Sequence, residues 1–256
     1  MRASIWKMIE FKSYLGFWNF AESIRREWRF TRSAEQQEFL SAVVDSSHSR
    51  RKQIAAGTSV WRAQVGNDWR SGDDEDNACP FPPQRMKPLA YQASEGRANP
   101  KGIPYLYTAT HHDTAIAEVR PWVGALVSVA ELRVQRELTI VNCISPYPRL
   151  RVRATEPSAP ERERAVWKDI DNAFSRPVTP HEQIADYVPT QVLAECFRSE
   201  GLDGIRYKSS VGDGTNIVFF DLNVAEVVTC GLFQVNWMKL TSIEASNPYV
   251  IQKPSS

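Results

Sequence analysis

Thr58-Ser-Val-Trp-Arg-Ala-Gln-Val65 is the stretch on which the fold class turns. Val60, Arg62 and Gln64 alternate with Trp61, Ala63 and Val65, the period of two that a β-strand imposes on its side chains. Arg62 therefore projects from a strand with apolar neighbours. What precedes this stretch reads as helix. Trp6, Ile9, Phe17, Phe20 and Ile24 form an apolar stripe among Lys, Arg and Glu, which predicts helix over residues 1–32. That stripe packs on the rest of the chain or meets a partner or a second copy. A second helix is predicted over residues 34–54, because Ser33 and Gln36 have the form of a capping box and Gly57 supplies a stop. Residues 1–56 thus read as a helical N-terminal extension and 57–256 as the main domain.

Downstream the periods mix. Residues 67–83, with Gly72-Asp-Asp-Glu-Asp-Asn77, read as a solvated loop. Glu95-Gly-Arg-Ala-Asn-Pro-Lys-Gly102 is irregular and leads into a short strand, Ile103-Pro-Tyr-Leu-Tyr-Thr108, with Tyr105 and Tyr107 on one face. Thr110 and Asp113 suggest a capping box for a helix over 114–120 that Pro121 ends. Strands are predicted over 123–134 and 138–143, an exposed connector over 149–163, and helices over 165–174 and 190–200. Strands at 204–208 and 216–221 follow, joined by the turn-forming Ser209-Ser-Val-Gly-Asp-Gly-Thr215, with a last strand near 227–233. No internal repeat and no strict βαβ alternation is visible, so the class is α+β.

A length of 256 residues suits one large domain with an extension. With 42% hydrophobic and 24% charged residues the chain can build a packed core. A net charge of +1 provides no global field for a polyanion, so neither nucleic acid nor a membrane surface is an expected partner. Lys7, Glu10 and Lys12 interrupt any apolar run at the N-terminus, and no stretch approaches the roughly 18 apolar residues of a membrane span. Cys79, Cys143, Cys196 and Cys230 lie far apart without a C-x-x-C pair, which suggests neither a disulfide framework nor structural zinc; the cytoplasm is the expected compartment. Glycine-rich dinucleotide, Walker A, G-x-S-x-G and H-E-x-x-H motifs are missing. Adjacent His111 and His112 diverge at a helix entry and find no third ligand at suitable spacing, so no metal is expected.

What remains is polar residues placed oddly for structure alone. Glu118, in Ala115-Ile-Ala-Glu-Val119, lies one turn from Thr114 and Ala115, near the edge of the helix face that should meet the sheet. A carboxylate there wants a partner. Arg62 and Glu118 form a buried structural pair, Glu118 reaches solvent at a boundary, or the two are functional.

In order, Val60-Trp-Arg-Ala63, Gly96-Arg-Ala-Asn-Pro100 leading into Pro104-Tyr-Leu-Tyr-Thr108, Thr114-Ala-Ile-Ala-Glu-Val-Arg120, and Asp203-Gly-Ile-Arg-Tyr-Lys-Ser-Ser210 with Gly214-Thr-Asn-Ile-Val-Phe219 resemble the RES domain. That family is named for an Arg, a Glu and a Ser in its active site. The resemblance runs over about 57–230, making 57–256 a RES-like catalytic domain and leaving the helical extension outside. It implies an ADP-ribosyltransferase-like mixed β core with flanking helices. It also implies a toxin-like activity, with NAD as substrate and no bound cofactor: cleavage of the nicotinamide–ribose bond with phosphate or water as acceptor, as a phosphorylase or glycohydrolase. Transfer of ADP-ribose to a protein is the alternative, and a catalytically silent binding module another. An antitoxin protein and a homodimer are the partners suggested.

By the same resemblance Glu118 stabilises the oxocarbenium-like centre, Arg62 grips a pyrophosphate or incoming phosphate, and Tyr107 gives an aromatic wall with a polar tip. Ser209 follows Tyr207 at the family's tyrosine-any-serine spacing and is favoured as the functional hydroxyl over its neighbour Ser210. Arg97 is a second anion contact or a loop residue capped by Asn99. Asn216 lines the pocket or closes the turn. Tyr105 is read as a packing neighbour, and Gly212 and Gly214 as turn residues rather than a phosphate cradle.

Overall fold

A computed structural model of the chain describes residues 9–27, 29–71, 76–89, 92–150, 154–176, 184–239 and 242. Trp6 of the N-terminal stripe, residues 72–75 of the acidic run, 151–153 of the connector and 243–256 of the tail lie outside the described residues. Among the described residues the fold is α+β. The helices are α1 (Gly16–Arg26), α2 (Ala34–Ser47), α3 (His112–Glu118), α4 (Ala159–Ser175) and α5 (Val188–Ser199). The strands are β1 (Arg51–Ile54), β2 (Ser59–Val65), β3 (Asp68–Ser71), β4 (Asp76–Cys79), β5 (Leu106–Ala109), β6 (Leu126–Val134), β7 (Leu138–Asn142), β8 (Gly204–Lys208), β9 (Thr215–Phe219) and β10 (Ala225–Gln234).

Eight of these strands form one sheet in the order β1-β7-β8-β9-β5-β2-β6-β10. All neighbours are antiparallel except β7 and β8. On one face α1, α2, α4 and α5 bury Ile24, Trp167, Phe174 and Phe197 against Val141, Ile205 and Val218. A second cluster joins Val60, Leu106, Leu132, Ile140 and Phe219 to Phe81 and Met86. A third, of Ala63, Ala109, Ala115, Val127 and Val129, seats α3 on the sheet. Each large side chain so buried stabilises the fold by roughly 1.5–3 kcal/mol before entropy.

Several boundaries differ from the sequence reading, for identifiable reasons. Phe17, Phe20, Ala21 and Ile24 do share the buried face of α1, so that part of the stripe packs internally. The Ser33–Gln36 capping box forms, but α2 stops at Ser47 and Arg51–Ile54 becomes an edge strand on β7. An edge strand with one neighbour can carry polar Arg51, Lys52 and Gln53 and shows no alternation to read. Within the expected loop at 67–83, β3 and β4 pair as a separate two-stranded sheet. The charged end of the expected connector is the start of α4, capped by Ser158 and Glu161.

The large sheet is irregular near its middle. β2 pairs with β6 from Ser59 opposite Arg133 to Val65 opposite Val127, and β5 pairs with β9 throughout. Between β2 and β5, however, only Trp61 and Ala109 are in register. The sheet is split there, and backbone groups facing the split need partners from outside the ladder.

Candidate active site

The split opens a cavity of about 210 Å³ lined by Arg62 from β2, Tyr107 from β5, Ala115 and Glu118 from α3, Tyr207 from β8 and Asn216 from β9. Contacts across the loop between β8 and β9 fix α3 beside it. The amide of Gly214 donates to the buried Thr114 hydroxyl (3.1 Å). A Cβ at Gly214 would sit 2.5 Å from Thr114 Oγ1 and 2.7 Å from His111 Nδ1, so only glycine allows this approach. The expected Thr110–Asp113 capping box does not form: α3 begins at His112 with His111 as an N-cap that makes no side-chain bond. The Thr110 hydroxyl accepts from the Thr215 amide instead (3.0 Å), tying β5 to β9.

Glu118 is the last residue of α3 and is exposed at the cleft. Its Oε1 accepts from Ser209 Oγ (2.7 Å) and from Asn216 Nδ2 (2.7 Å). Ser209 Oγ also accepts from the amides of Val211 (3.2 Å) and Gly212 (3.0 Å). Both hydroxyl lone pairs are thereby occupied, and the only proton it has points at Glu118. The carboxylate is oriented through one oxygen by two neutral donors, while Oε2 has no hydrogen-bond partner among the described residues. Ser209 is buried and Ser210 is exposed.

Arg62 donates from Nη1 to the carbonyl of Tyr107 (3.1 Å), a β5 acceptor on the open side of the split. Its Nε is buried without a partner, and burial pulls its pKa below the ordinary guanidinium value. It makes no ion pair among the described residues; Arg62 and Glu118 do not form the salt bridge that would give them a purely structural role. A buried cation without a counter-ion is costly, and an anion entering the cavity would offset that cost.

Tyr107 contributes its ring to the cavity wall, but its hydroxyl is committed elsewhere. It donates to Asn99 Oδ1 (2.8 Å) and accepts from the Ala98 amide (3.0 Å). The polar tip therefore faces the 96–99 loop. Gly96 is required there, since a Cβ would lie 2.5 Å from the Tyr107 hydroxyl. Asn99 Nδ2 donates to the carbonyls of Ser94, Pro100 and Ile103, and Gln191 of α5 donates to those of Gly96 and Asn99. Burial raises the phenol pKa of both Tyr107 and Tyr207, the latter also through Tyr107 and Glu118 nearby.

Arg97 is not in this cavity. It donates from Nη1 to Ala173 O (3.0 Å), lies over the Tyr187 ring, and lines a different cavity beside α1 and α4. Among residues the sequence reading gave no role, Trp61 and Tyr207 also line the cleft. The signal for Tyr207 was present: Ile205, Tyr207 and Ser209 alternate with Arg206 and Lys208, placing the tyrosine on the face of the favoured serine. Among the described residues no three His, Cys, Asp or Glu side chains gather as a metal site would require, and no helix is long and apolar enough to cross a membrane. His112 instead pairs with Asp113 and packs on Phe233.

Set beside known proteins, residues 59–235 match the sequence model of the RES domain. No curated protein matches the chain. Among solved structures, a chain of the crystal structure of the M. tuberculosis MbcT-MbcA toxin-antitoxin complex is similar at 13% identity and a TM-score of 0.40, over 75% of this chain and 92% of that one.

Proposed function

This chain belongs to the RES domain family, and from that premise we propose that its cleft cleaves the nicotinamide–ribose bond of NAD and passes the ADP-ribosyl group to phosphate or water. The observation that carries the proposal is the Glu118 carboxylate, held on Oε1 by Ser209 and Asn216 and unpaired with Arg62 across the same cavity. As the glycosidic C–N bond breaks, its electron pair moves to the ring nitrogen and neutralises nicotinamide. Positive charge grows on C1 of the ribose. A fixed carboxylate stabilises that charge, with Oε2 left to hold a ribose hydroxyl. An oxygen of phosphate then bonds C1, giving an ADP-ribose phosphate; with water as acceptor its extra proton passes to solvent and free ADP-ribose results. The step moves no electrons to or from the protein.

Arg62 meets the pyrophosphate or the incoming phosphate with a fork of donors suited to both. The Tyr107 ring provides a flat wall for the nicotinamide end. At about 210 Å³ the cavity is smaller than the roughly 300–1,000 Å³ typical of sites that enclose a whole ligand. This supports seating the nicotinamide riboside end, with the rest of the dinucleotide along the surface. The family resemblance supports a toxin-like role in the cytoplasm with an antitoxin as partner.

The exposure of Glu118 favours one further reading, transfer of ADP-ribose to a protein acceptor that approaches the open cleft. Incubating the purified chain with NAD, with and without phosphate, separates the two by chromatography of the products. Nicotinamide release with no protein acceptor added is the expected result. Release only in the presence of lysate, with label incorporated into protein, would transfer the assignment to the second reading; no release under either condition would remove both.

A further inference from the structure

Beside α1 lies a second cavity of about 310 Å³, which shares no lining residue with the cleft. Arg25 and Trp18 of α1 line it together with Arg97, Arg149 and the aspartates Asp169 and Asp186. Arg149 Nε is 3.2 Å from Asp169 and its guanidinium stacks over Trp18. Arg25 Nε lies 3.3 Å from Asp186 Oδ1 but out of line for a hydrogen bond, so this buried donor is left unmet. Among the described residues Arg97 has no carboxylate partner and its buried Nη2 has no acceptor.

We infer that this cavity is a second binding site, completed by α1, for a small molecule that carries a phosphate group. Two arginines that each keep an unmet, buried donor line it from different elements, α1 and the 96–100 loop. A tetrahedral dianion accepts from both at once, whereas a planar carboxylate matches one fork. Trp18 adds an aromatic wall beside them. Inorganic phosphate and a nucleoside 5′-monophosphate are two sources of the same chemistry. α1 lies outside residues 59–235, so the site belongs to the combination of extension and family domain rather than to the family domain alone. It also touches the cleft's supports. Ala173 lines the cavity while its neighbour Phe174 stacks on Tyr207 at 5.7 Å, and the amide next to Arg97 holds the Tyr107 hydroxyl. An occupant would therefore bear on the cleft wall.

The test is calorimetric titration of the full chain with inorganic phosphate and with adenosine 5′-monophosphate, in the absence of NAD and at constant ionic strength. It uses the parent, Arg62→Ala and Arg149→Glu; the Arg149 side chain is 58% exposed, and its replacement takes from Asp169 its arginine partner. Binding of at least one of the two ligands is expected to persist in Arg62→Ala and to weaken tenfold or more in Arg149→Glu. Arg25→Lys, which keeps the charge and removes the fork, should act in the same direction and serves if Arg149→Glu does not fold. Hydrogen exchange should slow over residues 16–26 and 169–176 when ligand is added. Failure of the parent to bind either ligand would overturn the inference, as would binding abolished by Arg62→Ala and untouched by Arg149→Glu and Arg25→Lys. Because no turnover is measured, the result is independent of whether the cleft cleaves NAD.

Discussion

Among the described residues of the cleft, Arg62 has a backbone carbonyl and no carboxylate, while Glu118 has two neutral donors and no cation. In the cavity beside α1, Arg25 and Arg149 each sit against an aspartate, and only part of the donor set is left over. The difference is between charge that is positioned and charge that is neutralised. An ion pair settles both partners and leaves a weak external field. Neutral hydrogen bonds orient a carboxylate without cancelling it, so its full charge acts on whatever enters. On the proposed function such a carboxylate would stabilise charge that develops during a reaction, whereas the site inferred beside α1 would hold charge that is already present.

The contrast can be broken most sharply at Glu118. Glu118→Gln keeps the shape and a carbonyl for Ser209 and Asn216 but removes the charge, and nicotinamide release should fall about 10²–10³-fold in kcat/KM. A variant that retains full turnover would mean that the oriented charge has no catalytic part. Arg62→Ala comes next. Losing charged hydrogen bonds worth about 1.5–3 kcal/mol should lower kcat/KM roughly 10- to 150-fold, with KM for NAD or phosphate rising. Unchanged kinetics would show that no anion uses this arginine. Ser209→Ala removes one of the two donors on Glu118 and should cost about tenfold or less, near 1.4 kcal/mol. Combined with Asn216→Ala the loss should exceed that of either alone and depart from additivity; strict additivity would mean the two do not act through the same carboxylate.

A pH ramp addresses the tyrosines that line the cleft. Burial raises the phenol pKa of Tyr107 and Tyr207 in the fold, whereas unfolded tyrosines ionise near about 10. Above that pH the unfolded chain loses protons that the folded chain retains, so stability should fall as pH rises through it. Denaturant melts at pH 9 and 11 would show this, and a flat profile would contradict the burial. The smallest effect is expected at Arg149→Glu, a residue of the second cavity that reaches the cleft only through its wall: in phosphate-free buffer nicotinamide release should fall less than in Ser209→Ala. A loss comparable to that of Arg62→Ala would erase the distinction between the cavities.

Much of the fold was legible in the sequence because it rests on local periodicity. β8 runs over residues 204–208 as its pattern predicts, and the alternation around Arg62 marks β2. β1 was hidden because an edge strand needs no apolar face, and the start of α4 because its charged first turns look like a linker, although Ser158 and Glu161 carry a cap signal. The candidate residues divide by range. Arg62, Tyr107, Glu118 and Asn216 meet at one cavity, with Ser209 bonded to Glu118. Arg97, adjacent in sequence to the amide that holds Tyr107, points to another cavity. The Thr110 hydroxyl left its expected cap for β9. None of these choices is set within one turn of chain: each depends on which strands the split separates, a long-range pairing that no short window encodes.

If the cleft is the reaction centre, the scissile bond lies in the split between β2 and β5 rather than beside α1. A structure of the Glu118→Gln variant bound to NAD tests this directly. The nicotinamide riboside end is expected in the cleft, with a ribose hydroxyl within about 3 Å of the side chain at position 118 and the pyrophosphate on Arg62. A dinucleotide seated against Trp18 and Arg149 with the cleft unfilled would contradict it.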